Sequence, residues 1–379
     1  MYHIVFNGDE KYIPYICVCI TSIIDKLDKT VSYKDAAKNI LSADENIAEE
    51  CFCFHILIDI LSEETKQKIK ALEERLALVF PVSIQVHIVD PSCFWDCPRW
   101  RKNFAAYYRV LFAEFVPQTL KRALFLDGDT LVNTDIRPFM IQNMEGKPLA
   151  VVPNIPQLAL TLQGNTAQGN YTFSPDVCYF NSGVMLIDVE YWRKNNIQEQ
   201  CLQFLRCYRV QCADQDALNA VYKDKIKILP YQWNLMWNNM TDPNDTKKFW
   251  KEHPDFFADE SFYENLDCPK IIHFSVKPWS SNGFRISKDY LPFYYPNIAL
   301  WWDMARKTPV FAKEILAIQE SKSYRKMLRK NKQQEFLLQY SGYRRLLKIK
   351  RDIRPYMRQL EQPFKKIRDK WFKYKNTHA

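Results

Sequence analysis

Residues 121–132 read KRALFLDGDTLV. A basic pair leads into an apolar run, Ala123 to Leu126. Two aspartates follow, Asp127 and Asp129, with one glycine between them, and apolar residues resume at Leu131. A short apolar run bounded by a turn signal reads as a buried strand. This one delivers two carboxylates to one edge of a sheet. Such a pair in a tight turn can hold a hard divalent cation, with phosphate oxygens completing the shell. It can also supply a phosphoryl-accepting nucleophile, or be a turn and nothing more, since Asp-Gly is a common turn pair.

The surrounding pattern narrows these choices. "HIVF" (3–6), "CFCFHILI" (51–58) and "SIQVHIV" (83–89) read as three earlier strands. Between them, "GDEKYIPYICVCITSIIDKL" carries apolar residues at helical spacing, and "SEETKQKIKALEERLALV" opens on a Ser62–Thr65 turn with acids in its first turn. Residues 103–116 read as helical, the polar stretch 31–50 as a loop or short helix, and "DVCYFNSGVMLIDV" as extended. Strands alternating with helices predict βαβ units and a mainly parallel α/β sheet. Such sheets bind ligands beyond the carboxyl ends of their strands. "IVFNGD" and "LFLDGD" both place acids there, so they are expected to line one crevice. No G-x-G-x-x-G or G-x-x-x-x-G-K-[ST] occurs among eight glycines, which disfavours dinucleotide and Walker-type sites. "FLDGDTLV" matches the DxDxT pattern of haloacid-dehalogenase-like phosphatases, with Asp127 as nucleophile. That motif normally ends the first strand, however, and here three strands precede it. The late G-D-x-x-x-D motif is also missing; Asp214 and Asp216 occur in "CADQDALN" instead.

Eleven cysteines are scattered, and Cys93 and Cys97 have no matching second pair, so a cytosolic protein with reduced thiols is expected rather than a zinc or disulfide framework. "MYHIVFNGDEKYIPY" is not a secretory signal, and no run approaches the ~18 apolar residues of a membrane span. The net charge of +9 conceals a division. Residues 321–379 hold 19 Lys and Arg against four acids, a net +15, leaving −6 for residues 1–320. Leu346, Leu347 and Ile349 sit among Arg344, Arg345, Lys348, Lys350 and Arg351. Basic amphipathic segments of this kind lie on anionic membrane surfaces. A solvated helical appendage and a nucleic-acid arm are the other readings; a nucleic-acid partner is not expected. The predicted organisation is a catalytic domain over 1–280, a helical continuation over 281–320 packing on it, and a basic helical tail over 321–379.

Six stretches taken together resemble glycosyltransferase family 8, which includes bacterial lipopolysaccharide galactosyl- and glucosyltransferases and glycogenin. They are "IVFNGDEKYIPYICVCITSI", "AAYYRVLFAEFVP" (105–117), "ALFLDGDTLV", "YFNSGVMLID" (179–188), "ADQDALNAV" (213–221) and "IIHFSVKPW" (271–279), in the family's order. The resemblance implies a GT-A fold, a UDP-sugar donor, Mn²⁺ (or Mg²⁺), and transfer with retention of configuration. It implies that Asp127, Asp129 and His273 hold the metal. Lys277 would face the diphosphate, Arg109 the diphosphate or the sugar, and Asp9 and Tyr12 the nucleoside. Asn181 and Asp214 would bind sugar hydroxyls, with Gln215 at the reacting face of the anomeric carbon. Taken singly, each has an ordinary structural reading: a core histidine, a surface arginine, a turn asparagine, a capping aspartate. The chain departs from the family pattern at Lys11, where many members have Asn. It departs again in "HFSVKPW", which is shorter and lacks a glycine, and in the 31–50 insertion.

The resulting expectation is a retaining hexosyltransferase that moves glucose or galactose to a lipopolysaccharide-like bacterial glycan. It would work at the inner face of the cytoplasmic membrane and draw its acceptor pocket from 154–175 and 231–262. The alternatives are a phosphatase using Asp127, or an inactive glycan-binding scaffold.

Overall fold

The computed structural model describes residues 1–41, 50–100, 103–154, 160–165, 169–174, 176–236, 268–287, 290–295 and 297–353. Part of the expected acceptor segment 154–175, most of 231–262, part of the 31–50 insertion and the end of the tail therefore lie outside the described residues. Two compact units divide the chain: Met1–Ser280 with Asn297–Gln319, and Ser281–Pro296 with Glu320–Ala379.

The first unit is built on a sheet of β1 (Tyr2–Asn7), β2 (Phe52–Ile58), β3 (Val82–Ile88), β4 (Arg122–Leu126), β6 (Leu149–Pro153), β9 (Phe180–Asp188) and β11 (Ile226–Ile228). Among the described residues these strands lie in the order β11-β6-β9-β4-β1-β2-β3. Neighbours β1, β2, β3 and β4 pair in parallel, as do β6 and β11; β9 runs antiparallel between β4 and β6. The sheet is thus mostly parallel, as the βαβ pattern predicted. The antiparallel β9 is the element that periodicity left as merely extended. Strands β1 and β2 are buried along their whole length, which is why they read as continuous apolar runs rather than alternating ones.

Helix Ile13–Asp25 has Pro14 in its first turn and buries Ile16, Val18, Ile20 and Ile23. Helix Glu63–Ala77 starts where predicted, with Ser62 accepting from the Thr65 N–H. The segment read as helical over 103–116 is helical in two parts, a 3-10 helix, Ala105–Leu111, followed by a single α-turn, Phe112–Phe115. Its bulky buried side chains, Tyr107, Tyr108 and Phe112, pack into the core and set its course more than helix propensity does. Helix Lys34–Leu41 opens the polar insertion. A short ladder, β5 (Thr130–Val132) against β12 (Ile271–His273), pairs His273 with Thr130. That register brings a residue 144 positions away beside the aspartate pair.

The second unit contains the hairpin Phe284–Ile286 with Pro292–Tyr294 and the helix Lys322–Leu337, followed by helical residues 341–353. Asn331 donates to Asn282, and Tyr294 to Glu335, within this unit. No described helix is long and apolar enough to cross a membrane. All eleven cysteines are free thiols.

Candidate active site

Strand β4 ends at Leu126, and the chain turns at once. Thr130 N–H and Oγ1 both donate to the Asp127 carbonyl (3.1 and 2.8 Å), closing a tight loop around Gly128. A Cβ on Gly128 would strike Ile16 and Tyr12, so only glycine lets this loop lie against helix Ile13–Asp25. The loop presents Asp127, half-buried, and Asp129, buried, on the same side.

Three groups converge there: the Asp127, Asp129 and His273 ligand atoms all lie within 4.8 Å of one another. His273 Nε2 is 3.2 Å from Asp129 Oδ1 and 3.6 Å from Asp127 Oδ2. Burial depresses the His273 imidazole pKa, against the pull of Asp127. A neutral ring that keeps its proton on Nδ1 offers Nε2 as a lone pair, so two acceptors face each other. Asp129 Oδ1 is buried and has no hydrogen-bond partner among the described residues. An orphaned carboxylate oxygen opposite an imidazole lone pair is a donor set that a divalent cation such as Mn²⁺ satisfies. The residues therefore fit the metal. A Cβ on Gly183 would collide with the His273 ring and come within 2.7 Å of Asp127 Oδ2; this glycine keeps the floor of the site open.

The other expected residues surround this centre. Lys277 Nζ pairs with Asp129 Oδ2, which also accepts from Tyr12 Oη at 3.1 Å. The segment carrying Lys277 is fastened by Trp279, which stacks on Tyr15 (3.7 Å between ring centres, 6° between planes), with Tyr12 edge-on. Arg109, on the 3-10 helix, is buried and spans the site. Its Nη2 donates to Asp127 Oδ1 (2.7 Å), its Nη1 to the Ser182 carbonyl (2.7 Å), and its Nε pairs with Asp214 Oδ2 (3.0 Å). Burial by itself would raise the Asp127 pKa, but Arg109, with His273 and Lys277, holds it below the usual carboxylate range. Burial pushes Asp214 up to about 6, against Arg109. Asp214 and Gln215 begin helix Asp214–Tyr222, directly after Ala213 at φ 53°. That backbone conformation is costly for alanine, and such strain concentrates at functional sites. Gln215 Oε1 accepts from Asn181 Nδ2 (3.0 Å) and the Ser182 N–H (3.1 Å).

Nine of the ten expected residues thus join one connected network. Asp9 lies just past the end of β1, and its buried Oδ1 has no hydrogen-bond partner among the described residues. Sequence reasoning overlooked Ser182, Asn234, Tyr179, Trp279 and Gly183. Ser182 and Gly183 stand inside the quoted "FNSG", and Trp279 ends the quoted "KPW", so those signals were at hand. Asn234 has none beyond a turn-like "QWN".

A second possible metal group, His3, Cys53 and His55, lies on β1 and β2. Its imidazoles already bond each other in a stacked column, His3 Nδ1 to His55 Nε2 and His55 Nδ1 to His87 Nε2, both 2.8 Å.

This architecture, a mostly parallel sheet with an acidic pair at the carboxyl edge beside an antiparallel β9, is the GT-A fold of glycosyltransferases. The chain belongs to glycosyltransferase family 8: the family model described as "Glycosyl transferase family 8" matches residues 3–283. It is therefore an enzyme that transfers sugars, and the phosphatase alternative falls. It is 27% identical over 289 residues to General stress protein A of Bacillus subtilis, covering 71% of this chain and 96% of that one. It is 25% identical over 284 residues to a Lipopolysaccharide 1,2-glucosyltransferase of Escherichia coli, covering 73% and 78%. Among solved structures, LgtC galactosyltransferase in complex with donor and acceptor sugar analogues aligns at TM-score 0.52 and 18% identity, covering 81% of this chain and 96% of that one. WbbM bifunctional glycosyltransferase aligns at TM-score 0.58 and 18% identity, covering 85% and 52%.

Proposed function

We propose that this chain is a metal-dependent, retaining hexosyltransferase. It moves glucose or galactose from a UDP-sugar to a glycan acceptor, lipopolysaccharide core or another bacterial surface glycan. The observation that carries this reading is the facing pair of acceptors, His273 Nε2 and the orphaned Asp129 Oδ1. Asp127, Asp129 and His273 hold Mn²⁺ (or Mg²⁺), and the bound ion supplies charge compensation for the departing diphosphate. Lys277 and Arg109 add positive charge toward the same phosphates, and Asp9 and Tyr12 receive the nucleoside. Asn181 and Asp214 hold the donor sugar by its hydroxyls.

The reaction is a front-face displacement. The bond from the anomeric carbon to the diphosphate oxygen breaks, and the acceptor oxygen bonds the same face. Its proton passes to the leaving phosphate oxygen through an oxocarbenium-like state. Gln215 is a poor nucleophile for a covalent alternative, because its carbonyl oxygen already accepts two hydrogen bonds. Asp214 is equally committed, to Arg109 and to Ser182 Oγ at 3.0 Å. Both therefore support the sugar rather than attack it.

Residues 1–280 with 297–319 form the catalytic domain; of the expected helical continuation 281–320, residues 281–296 belong to the second unit and carry the hairpin Phe284–Ile286 with Pro292–Tyr294 instead of a helix. The basic tail 321–379 holds the enzyme at the inner, cytoplasmic face of an anionic membrane. Exposed Phe336, Tyr340, Leu346, Ile349 and Ile353 among Lys and Arg support the membrane reading. A screen of UDP-glucose and UDP-galactose hydrolysis with Mn²⁺ tests the activity: slow hydrolysis of one donor is expected. Hydrolysis of neither, with UDP still bound, would indicate the inactive glycan-binding scaffold.

A further inference from the structure

Asn234 is fully buried, and its neighbours leave its carboxamide one orientation. Backbone donors fix that orientation. The Ser182 N–H points at Gln215 Oε1, and the Gly183 N–H at Asn181 Oδ1 (2.9 Å), so both atoms are oxygens. Asn181 Nδ2 must then donate to Gln215. The Asn234 atom 2.8 Å from Asn181 Oδ1 must likewise be its nitrogen. What remains of Asn234 is Oδ1, an acceptor 3.0 Å from His273 Nδ1. That ring nitrogen therefore carries the proton.

The far end agrees. Gln215 Nε2 donates to Tyr179 Oη (3.2 Å), and the Tyr179 hydroxyl donates to Asp216. Asp216 has no exposed surface, and its other oxygen accepts the Gln211 and Cys212 N–H groups (2.6 and 2.9 Å). Five hydrogen bonds thus run one way, from His273 through Asn234, Asn181, Gln215 and Tyr179 into a buried carboxylate. Reversing them would set donor against donor at the Ser182 and Gly183 N–H groups. Buried chains of this kind are worth more than their separate bonds because each polarises the next.

We infer that Asn234 and Tyr179 are positioning residues: with Asp216 as anchor, they lock His273 in the Nδ1–H tautomer that aims the Nε2 lone pair at Asp127 and Asp129, and they hold Gln215 in the same gesture. The link from the proposed metal ligand to the proposed sugar side is built into the fold. Ligating histidines are commonly oriented through their second nitrogen, and loss of that partner typically costs 10–100-fold in metal affinity. The metal half of this inference rests on the proposed function; the tautomer half does not.

Histidine-selective ¹⁵N NMR of the metal-free full chain, assigned with His273→Gln, reads the tautomer directly. The wild type should show Nδ1–H. Asn234→Leu should show mixed tautomers and bind Mn²⁺ 10–100-fold more weakly by calorimetry. Asn234→Asp keeps an acceptor for Nδ1–H and should keep the tautomer. Tyr179→Phe cuts the chain with little change of shape, serves if Asn234→Leu does not fold, and should weaken Mn²⁺ binding severalfold. A wild-type Nε2–H tautomer would overturn the inference. So would an unchanged tautomer together with Mn²⁺ affinity within twofold in Asn234→Leu or, if that variant does not fold, in Tyr179→Phe. If the wild type binds no Mn²⁺ yet loses the Nδ1–H tautomer in Asn234→Leu, the chain stands and the metal assignment falls.

Discussion

Arg109 and Asp214 form a buried ion pair at 3.0 Å, and the same guanidinium reaches Asp127 at 2.7 Å. One planar cation therefore ties Asp127, the proposed metal-side carboxylate, to Asp214, the proposed sugar-side carboxylate. A lysine has no fork with which to copy this.

Arg109→Lys should lower UDP-sugar hydrolysis at least 100-fold. It should also destabilise the fold by about 3 kcal/mol, because one buried carboxylate loses its partner. Urea unfolding with a hydrolysis assay checks both. Activity within tenfold of wild type would contradict the bridging role.

Gly183→Ala places a methyl group against His273 and Asp127. Gly183 has no positive φ, so the strand backbone accepts alanine and the clash falls on the surrounding side chains; the melting temperature should drop by a few degrees. Mn²⁺ affinity should fall at least tenfold, as read by calorimetry. An alanine variant with native Mn²⁺ affinity would show that the floor of the site is not where the metal sits.

The His3–His55–His87 column predicts acid sensitivity. Burial lowers His3 to about 4, with the N-terminal amine adding to this, and lowers His55 to about 3, with His3 and His87 adding. The folded pKa values lie below the unfolded value near 6.5, so the unfolded chain takes up protons first. Stability is full above pH ~6.5 and falls as the pH drops toward 4, by roughly 2–3 kcal/mol per histidine down to pH 4.5. Urea midpoints across that range should show a shallower fall in His55→Gln than in the wild type. Parallel curves would contradict the buried neutral column.

The tail predicts salt-dependent membrane binding. Replacing Arg344, Arg345 and Lys348 with glutamine should weaken binding to phosphatidylglycerol vesicles by about 100-fold, at ~1 kcal/mol per charge. UDP binding should be unchanged. Sedimentation with vesicles measures this, and undiminished binding would refute the membrane role.

The buried strands β1, β2 and β4 and the acid pair were legible in the sequence, because buried parallel strands read as unbroken apolar runs and an acid-glycine-acid turn is a local signal; the partly buried β3 was legible as an alternating run instead. His273 was reachable only through the resemblance, since its place depends on the β5–β12 ladder, which pairs it with Thr130 across 143 positions. The 3-10 course of Ala105–Leu111 and the role of Asn234 were not legible. Both are set by what packs or bonds against them, and no periodicity encodes that. Ser182 and Gly183 stood in plain view within "FNSG", but their backbone N–H groups become informative only when Gln215 and Asn181 are seen to face them.

On the proposed assignment, Asp127, Asp129 and His273 would hold a divalent ion that offsets the charge of the donor diphosphate. Calorimetric titration of the full chain with UDP, with and without Mn²⁺, is the decisive test. UDP should bind with Mn²⁺, bind at least 100-fold more weakly when the metal is chelated, and not bind at all to Asp129→Ala. UDP binding that is indifferent to the metal, or that survives Asp129→Ala unchanged, would contradict it.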